Sequence, residues 1–129
     1  MSVGYFDTAS LIAVASPGEV GDLGAAVWKS LDAVCALEIV EFEVPSAIGR
    51  SLDRMAWTFL VNSLTVVRWT PDMHTRAIDL GWLGAPSSTA MHIACAEVLE
   101  ADHFVTGDPT ALRWAEVCGL NVVDLRRKP

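Results

Sequence analysis

The sequence predicts an α/β fold, a three-layer α/β/α sandwich around a mostly parallel sheet of about five strands. Two observations carry that expectation. Short apolar runs at Val3–Phe6, 34–36, Thr65–Val67, His103–Thr106 and 121–123 alternate with segments of helical apolar spacing, and strands separated by helices pair in parallel with both faces covered. Acids also follow two of these strands directly, Asp7 after the first and Asp108 after the fourth. Ligands of such folds collect at the carboxyl ends of the strands.

Each element has its own local reason. Val3–Phe6 reads as a buried strand, and Asp7-Thr8-Ala9-Ser10 turns it into a helix capped by Asp7 or Thr8, whose short oxygen side chains can accept from the free first-turn amides. Pro17-Gly18 closes that helix. Apolar spacing is helical over 22–33; a brief strand follows near 34–36 and a helix over about 37–49. A further helix covers 52–64, and the β-branched Thr65-Val66-Val67 forms a strand that gives way at Thr70-Pro71. Asp72 is expected to cap a helix through Leu80, Gly84-Ala85-Pro86 to loop, and Ser87 or Ser88 to cap a long helix to Glu100. After His103–Thr106, the turn Gly107-Asp108-Pro109 leads into a helix over 110–118, ended by Gly119, and 121–123 is the last strand. No repeat or low-complexity segment interrupts this order. At about 100–200 residues per domain, the 129 residues form a single domain over 1–129.

Composition narrows the function. Hydrophobic residues make up 52% and charged residues 19% of the chain, enough for a substantial core and too apolar for disorder. Nine Lys and Arg against sixteen Asp and Glu give a net charge of −7, the opposite of a basic surface that holds nucleic acid by neutralising phosphates. Any nucleic acid partner then needs positive charge from elsewhere, and a divalent cation gathered by the excess carboxylates would supply it. Cys35, Cys95 and Cys118 are far apart, without CxxC or Cys/His ligand spacing, and read as buried thiols in a reducing compartment. Ala13-Val14-Ala15 resembles a cleavage site, but no basic n-region precedes it and Asp7 stands where an apolar core should run, so it is not read as a signal peptide. No run approaches the about 20 apolar residues of a membrane span, and a soluble cytoplasmic protein is expected.

Three acids are the candidates for chemistry. Asp7 and Asp108 each suit an N-cap, Asp108 especially with Pro109 behind it, yet one carboxylate oxygen can cap while the other ligates. Glu43 is less ordinary. On a helix advancing ~100° per residue, Ala36, Val40, Val44 and Ala47 form an apolar stripe with Glu43 inside it, whereas Glu38 projects away and Glu41 lies near the edge. An inward carboxylate needs a partner. That partner is either a structural cation, for which Arg50 is suitably placed, or a metal shared with Asp7 and Asp108. Three carboxylates in one cleft repel unless a hard cation neutralises them. Mg²⁺ or Mn²⁺ fits, taking oxygen ligands with water and substrate phosphate in the remaining positions.

These residues occur in a wider pattern. Tyr5-Phe6-Asp7-Thr8-Ala9-Ser10-Leu11-Ile12, then Glu43-Val44-Pro45 with Ala47 and Arg50, then Ala90-Met91-His92-Ile93-Ala94-Cys95-Ala96, then Ala101-Asp102-His103-Phe104-Val105-Thr106-Gly107-Asp108, together resemble a PIN domain, and most of all the VapC toxins of bacterial toxin–antitoxin pairs. The resemblance runs in order over essentially the whole chain. It implies a Mg²⁺-dependent endoribonuclease acting on structured RNA such as tRNA, a homodimer, and neutralisation by a VapB-like antitoxin. It also implies that Asp7, Glu43 and Asp108 are the catalytic, metal-holding acids, with Thr106 lining the same turn. The family's remaining acid falls on Thr89, a departure that lowers metal affinity, although the hydroxyl can contact water or phosphate.

The other polar residues carry weaker signals. His92, three residues past Thr89 on an apolar helix face, reads as a satisfied core histidine rather than a ligand. His74 and His103 show no partner. Asp102 precedes its strand and reads as a turn residue at the sheet's far end. Trp28, Trp57, Trp69, Trp82 and Trp114 are spread along the chain as core or interface residues rather than a base-stacking platform. Arg50, Arg54, Arg68 and Arg76 and the tail Arg126-Arg127-Lys128 read as solvated surface with some scope for phosphate contact. Two alternatives remain beside the active nuclease. One is a weakened or inactive PIN module kept for binding, motivated by Thr89. The other, a phosphoacceptor receiver-type domain, fails on specifics, since the sequence lacks an acid pair after the first strand and a lysine after the last strand outside the terminal tail. The apolar surplus of a small domain supports a dimer and a groove for an amphipathic antitoxin segment.

Overall fold

The computed structural model describes residues 1–126, so Arg127 and Lys128 of the basic tail lie outside the described residues. The elements run β1 (Val3–Phe6), α1 (Thr8–Ala15), α2 (Glu19–Ser30), β2 (Ala33–Leu37), α3 (Val40–Ile48), a 3-10 turn (Gly49–Ser51), α4 (Arg54–Ser63), β3 (Thr65–Val67), α5 (Pro71–Trp82), α6 (Ser87–Val98), β4 (His103–Thr106), α7 (Pro109–Val117) and β5 (Val122–Asp124). The five strands form one sheet in the order β3-β2-β1-β4-β5, and every pairing is parallel. The predicted three-layer α/β class is the observed one.

Strand alternation builds two cores. Successive side chains leave a strand on opposite faces, so Tyr5, Cys35, Leu37 and Phe104 pack with Met73, Leu80, Ile93 and Ala115 from α5, α6 and α7. Phe6, Val34, Ala36 and Val105 enter the other layer, against Leu11, Val40, Val44 and Trp57 from α1, α3 and α4. Tyr5 stacks on Phe104 across β1 and β4, while Phe6 meets the edge of Trp28 on α2. Because β2 and β3 lie on one side of β1 and β4 and β5 on the other, the chain reverses its direction of travel between β1 and β4. The carboxyl ends of these two strands are therefore the topological switch point.

Several boundaries differ from the sequence reading, each for a physical reason. The helix expected over 37–49 begins only at Val40, because Leu37 is a fully buried strand residue paired with Val67. Ala36 consequently belongs to the sheet. Ala47 is exposed, so the inward face of α3 is Val40 and Val44. The second helix runs Glu19–Ser30 rather than 22–33, since Asp32 and Ala33 already bond to the Ser2 carbonyl at the start of the sheet. Asp72 does not cap α5; the Thr70 side chain does, accepting from the Met73 amide with Pro71 in the first turn. Neither Ser87 nor Ser88 caps α6, which starts after Pro86 without a side-chain cap and ends at Val98 with Glu100 in the left-handed region at φ 53°. The last strand is displaced by one residue to Val122–Asp124. Gly119 closes α7 as expected, at φ 78°, where a side chain would be strained. Cys35 and Cys95 are buried and unpaired, and burial pushes their thiols up to about 11 and about 12. Among the described residues no helix is long and apolar enough to cross a membrane.

Candidate functional site

Asp7 leaves the end of β1 and opens α1. Its Oδ1 accepts from the Ser10 amide at 2.9 Å, which identifies Asp7 rather than Thr8 as the cap, and its Oδ2 accepts from the Thr106 hydroxyl at 2.5 Å. The residue is only 4% exposed. Burial raises its pKa, against the opposing pull of the nearby His92 and of the hydrogen bonds from Thr106 and Ser10. A carboxylate in that position gains from a cation.

Asp108 is the counterpart at the end of β4. Its Oδ1 accepts from the Thr110 amide at 3.1 Å and caps α7, while its own amide donates to Thr106 Oγ1 at 3.0 Å. The second oxygen of Asp108 has no hydrogen-bond partner among the described residues. Both acids thus cap a helix and keep a part in the site, and the Thr106 hydroxyl links them. Together with Thr8, Ala9, Ser88, Thr89, His92 and Ala111 they line one cavity of about 50 Å³. A water molecule occupies roughly 30 Å³ of liquid. The space therefore has room for a small ion together with water.

Glu43 stands beside this cavity. The Thr8 hydroxyl donates to its Oε1 at 2.5 Å, the Ser88 hydroxyl donates to Oε2 at 2.8 Å, and His92 Nε2 lies 3.0 Å from Oε1. Burial alone would raise its pKa, but the hydrogen bonds from His92, Thr8 and Ser88 outweigh that and bring it down to about 2. Its side-chain partner is thus His92, by a hydrogen bond, and not Arg50, which is exposed on the 3-10 turn. Asp102 sits at the opposite end of the sheet, accepting from the Val3 amide at 2.7 Å.

Sequence reading did not place Ser88 or Thr8 at the site and took His92 for a core residue. His92 is indeed buried, at 3% exposure, and it also joins the acid cluster. A signal was present, because Ser88 and His92 are four apart on α6 and so share one face. Thr89, where the resemblance leads one to expect an acid, lines the cavity with 7% exposure.

The donor set suits a hard divalent cation: Asp7 and Asp108 offer carboxylate oxygens to one small cavity, leaving the other positions to water and substrate. Glu43 is held next to that cavity by Thr8, Ser88 and His92, which line it. Among the described residues no three acid, imidazole or thiol groups stand close enough to hold a metal together. The Glu43 carboxylate adds negative charge beside the cavity that Thr8 and Ser88 line.

No family model and no curated protein matches the sequence. Solved structures do. A toxin–antitoxin complex from Klebsiella pneumoniae superposes with a TM-score of 0.77 at 16% identity, over 95% of this chain and 97% of the other. A VapC toxin of Mycobacterium tuberculosis that cleaves the sarcin–ricin loop gives 0.71 at 15%, over 86% and 94%. A PilT N-terminus domain protein of Sulfolobus solfataricus gives 0.60 at 15%, over 96% and 87%. At such identities the likeness lies in the course of the chain rather than in its residues, and that course is the PIN-domain fold.

Proposed function

We propose that the chain is the toxin of a VapBC-type toxin–antitoxin pair, an endoribonuclease that hydrolyses RNA phosphodiester bonds with Mg²⁺ or Mn²⁺ held by Asp7 and Asp108. The observation that carries this reading is the single hydroxyl of Thr106, which ties both acids into one cavity at the switch point of the sheet. When bound, the cation supplies a water of lowered pKa and neutralises charge on the phosphate. Asp7 and Asp108 bind it, Thr106 fixes their separation, and Glu43 holds its charge beside them. This arrangement gives a chain of net charge −7 a means of engaging a polyanion. The toxin named in the Mycobacterium structure and the antitoxin present in the Klebsiella complex support an RNA substrate and an antitoxin partner. Exposed Phe42, Met55 and Phe59 on α3 and α4, and Trp82 and Leu83 at the end of α5, offer apolar surface for that partner and for a second copy of the chain.

The test is cleavage of a structured RNA such as tRNA by purified protein with Mg²⁺ or Mn²⁺, and its loss in Asp7→Asn. Cleavage that persists in that variant, or in the presence of excess chelator, would sink the proposal.

A further inference from the structure

The residues behind Glu43 form a continuous hydrogen-bonded chain that the proposed hydrolysis does not itself require. His92 Nε2 lies 3.0 Å from Glu43 Oε1 and 3.0 Å from the Thr8 hydroxyl. On the far side of the ring, Nδ1 lies 2.6 Å from the Tyr5 hydroxyl, and the Leu37 amide donates to that same hydroxyl at 3.2 Å. Tyr5 is fully buried and His92 nearly so. The chain therefore runs from the backbone of β2 through the core to a carboxylate at the site.

The order of donors along it assigns the tautomer. Glu43 Oε1 can only accept, so the ring nitrogen facing it, Nε2, carries a proton; the Leu37 amide fills one lone pair of the Tyr5 oxygen, whose proton is then free to be given to Nδ1. A ring nitrogen that accepts carries no proton, which places the imidazole proton on Nε2, facing Glu43. Glu43 Oε1 then receives Thr8 and His92, and Oε2 receives Ser88. A carboxylate has about four lone-pair sites, so one acceptor direction on Oε2 stays open. With the side chain 24% exposed, that direction can be reached from solvent.

We propose that His92 is a positioning residue: held as the Nε2–H tautomer by Tyr5 and the Leu37 amide, it fixes the rotation of the Glu43 carboxylate so that its one open acceptor is presented at the acid cavity. The kinetic consequence rests on the ribonuclease reading; the geometric role does not.

Two near-isosteric variants separate the roles of the two ring nitrogens. In His92→Gln the amide nitrogen reaches the place of Nε2 and still donates to Glu43, whereas in His92→Asn the amide reaches only the place of Nδ1 and keeps Tyr5 alone. Removing a group that orients a ligand costs about 10–100-fold. His92→Asn should therefore lower kcat for RNA cleavage by about that factor with KM little changed, and His92→Gln should restore most of it at equal Tm. Nitrogen-15 NMR of the wild-type ring at neutral pH should show a pyrrole-type Nε2 and a pyridine-type Nδ1, a preference lost in Tyr5→Phe. A proton on Nδ1, or equal kcat in the Gln and Asn variants, would overturn the proposal. Should the wild-type chain cleave no RNA, the ribonuclease reading fails by itself. The ring tautomer and the carbon-13 shift of the Glu43 carboxyl in the Asn and Gln variants then decide the role of His92, and an unchanged shift in His92→Asn counts against it.

Discussion

Thr106 donates its hydroxyl proton to Asp7 across the β1–β4 pairing at 2.5 Å and accepts the amide proton of Asp108 on the same oxygen at 3.0 Å. One fully buried side chain thus sets the spacing of two acids that lie about a hundred residues apart in sequence. Loss of a buried donor that leaves its partner unsatisfied costs about 1–3 kcal/mol. Thr106→Val, which keeps the shape and removes the hydroxyl, should lose that much stability in urea unfolding and should cut RNA cleavage at least tenfold. Thr106→Ser should retain both. Equal stability of the Val variant would show that the link contributes nothing.

Asp7→Asn should separate stability from activity. The folded-state pKa of Asp7 is raised by burial, so above that pKa the folded protein holds a carboxylate that is more comfortable in the unfolded chain. The sign is destabilising at neutral pH. Asn still caps α1 by accepting from Ser10. The variant should melt at a higher temperature than wild type at pH 7 while losing cleavage, and a lower Tm would contradict this reading of the site.

Glu43 titrates in the opposite sense. Its folded pKa, about 2, lies below the ordinary 4.5, so the folded state binds fewer protons and the carboxylate contributes stability above pH 4.5. That contribution is lost as pH falls from about 4.5 to about 2. Urea midpoints of wild type measured across this window should fall more steeply than those of Glu43→Gln. Parallel curves for the two would refute the assignment.

Thr89→Asp restores the acid that the PIN resemblance expects, inside a cavity that already holds Asp7 and Asp108. Added like charge should lower stability without metal. It should tighten Mn²⁺ binding about tenfold in calorimetry and speed cleavage. Unchanged affinity and rate would show that the present acids suffice; a large gain would show the native site to be attenuated.

Much of the fold was legible because it depends on local rules. Short apolar runs between helical segments determined the layers, Gly119 ended its helix, and Asp7 and Asp108 were readable as acids after strands that also cap helices. Errors concentrated where two local signals competed. Asp72 and Ser87 are good caps by residue type, yet Thr70 and Pro86 occupy the positions where the backbone leaves its extended form. Leu37 suits a helix, but its pairing with Val67 holds it in the sheet.

The sequence by itself determined the class of fold and the two acids at strand ends, since each follows from residue type and order; the departure at Thr89 came from the resemblance to PIN domains. Only the tertiary structure decided which partner Glu43 takes. Arg50, seven residues away, was the nearest local candidate; His92, forty-nine residues away, is the one α6 brings to 3.0 Å. Helix packing across a sheet fixes such distances, and no spacing along the chain encodes them. The same packing turns a buried histidine and the serine one helical turn before it into the support of a carboxylate at the site.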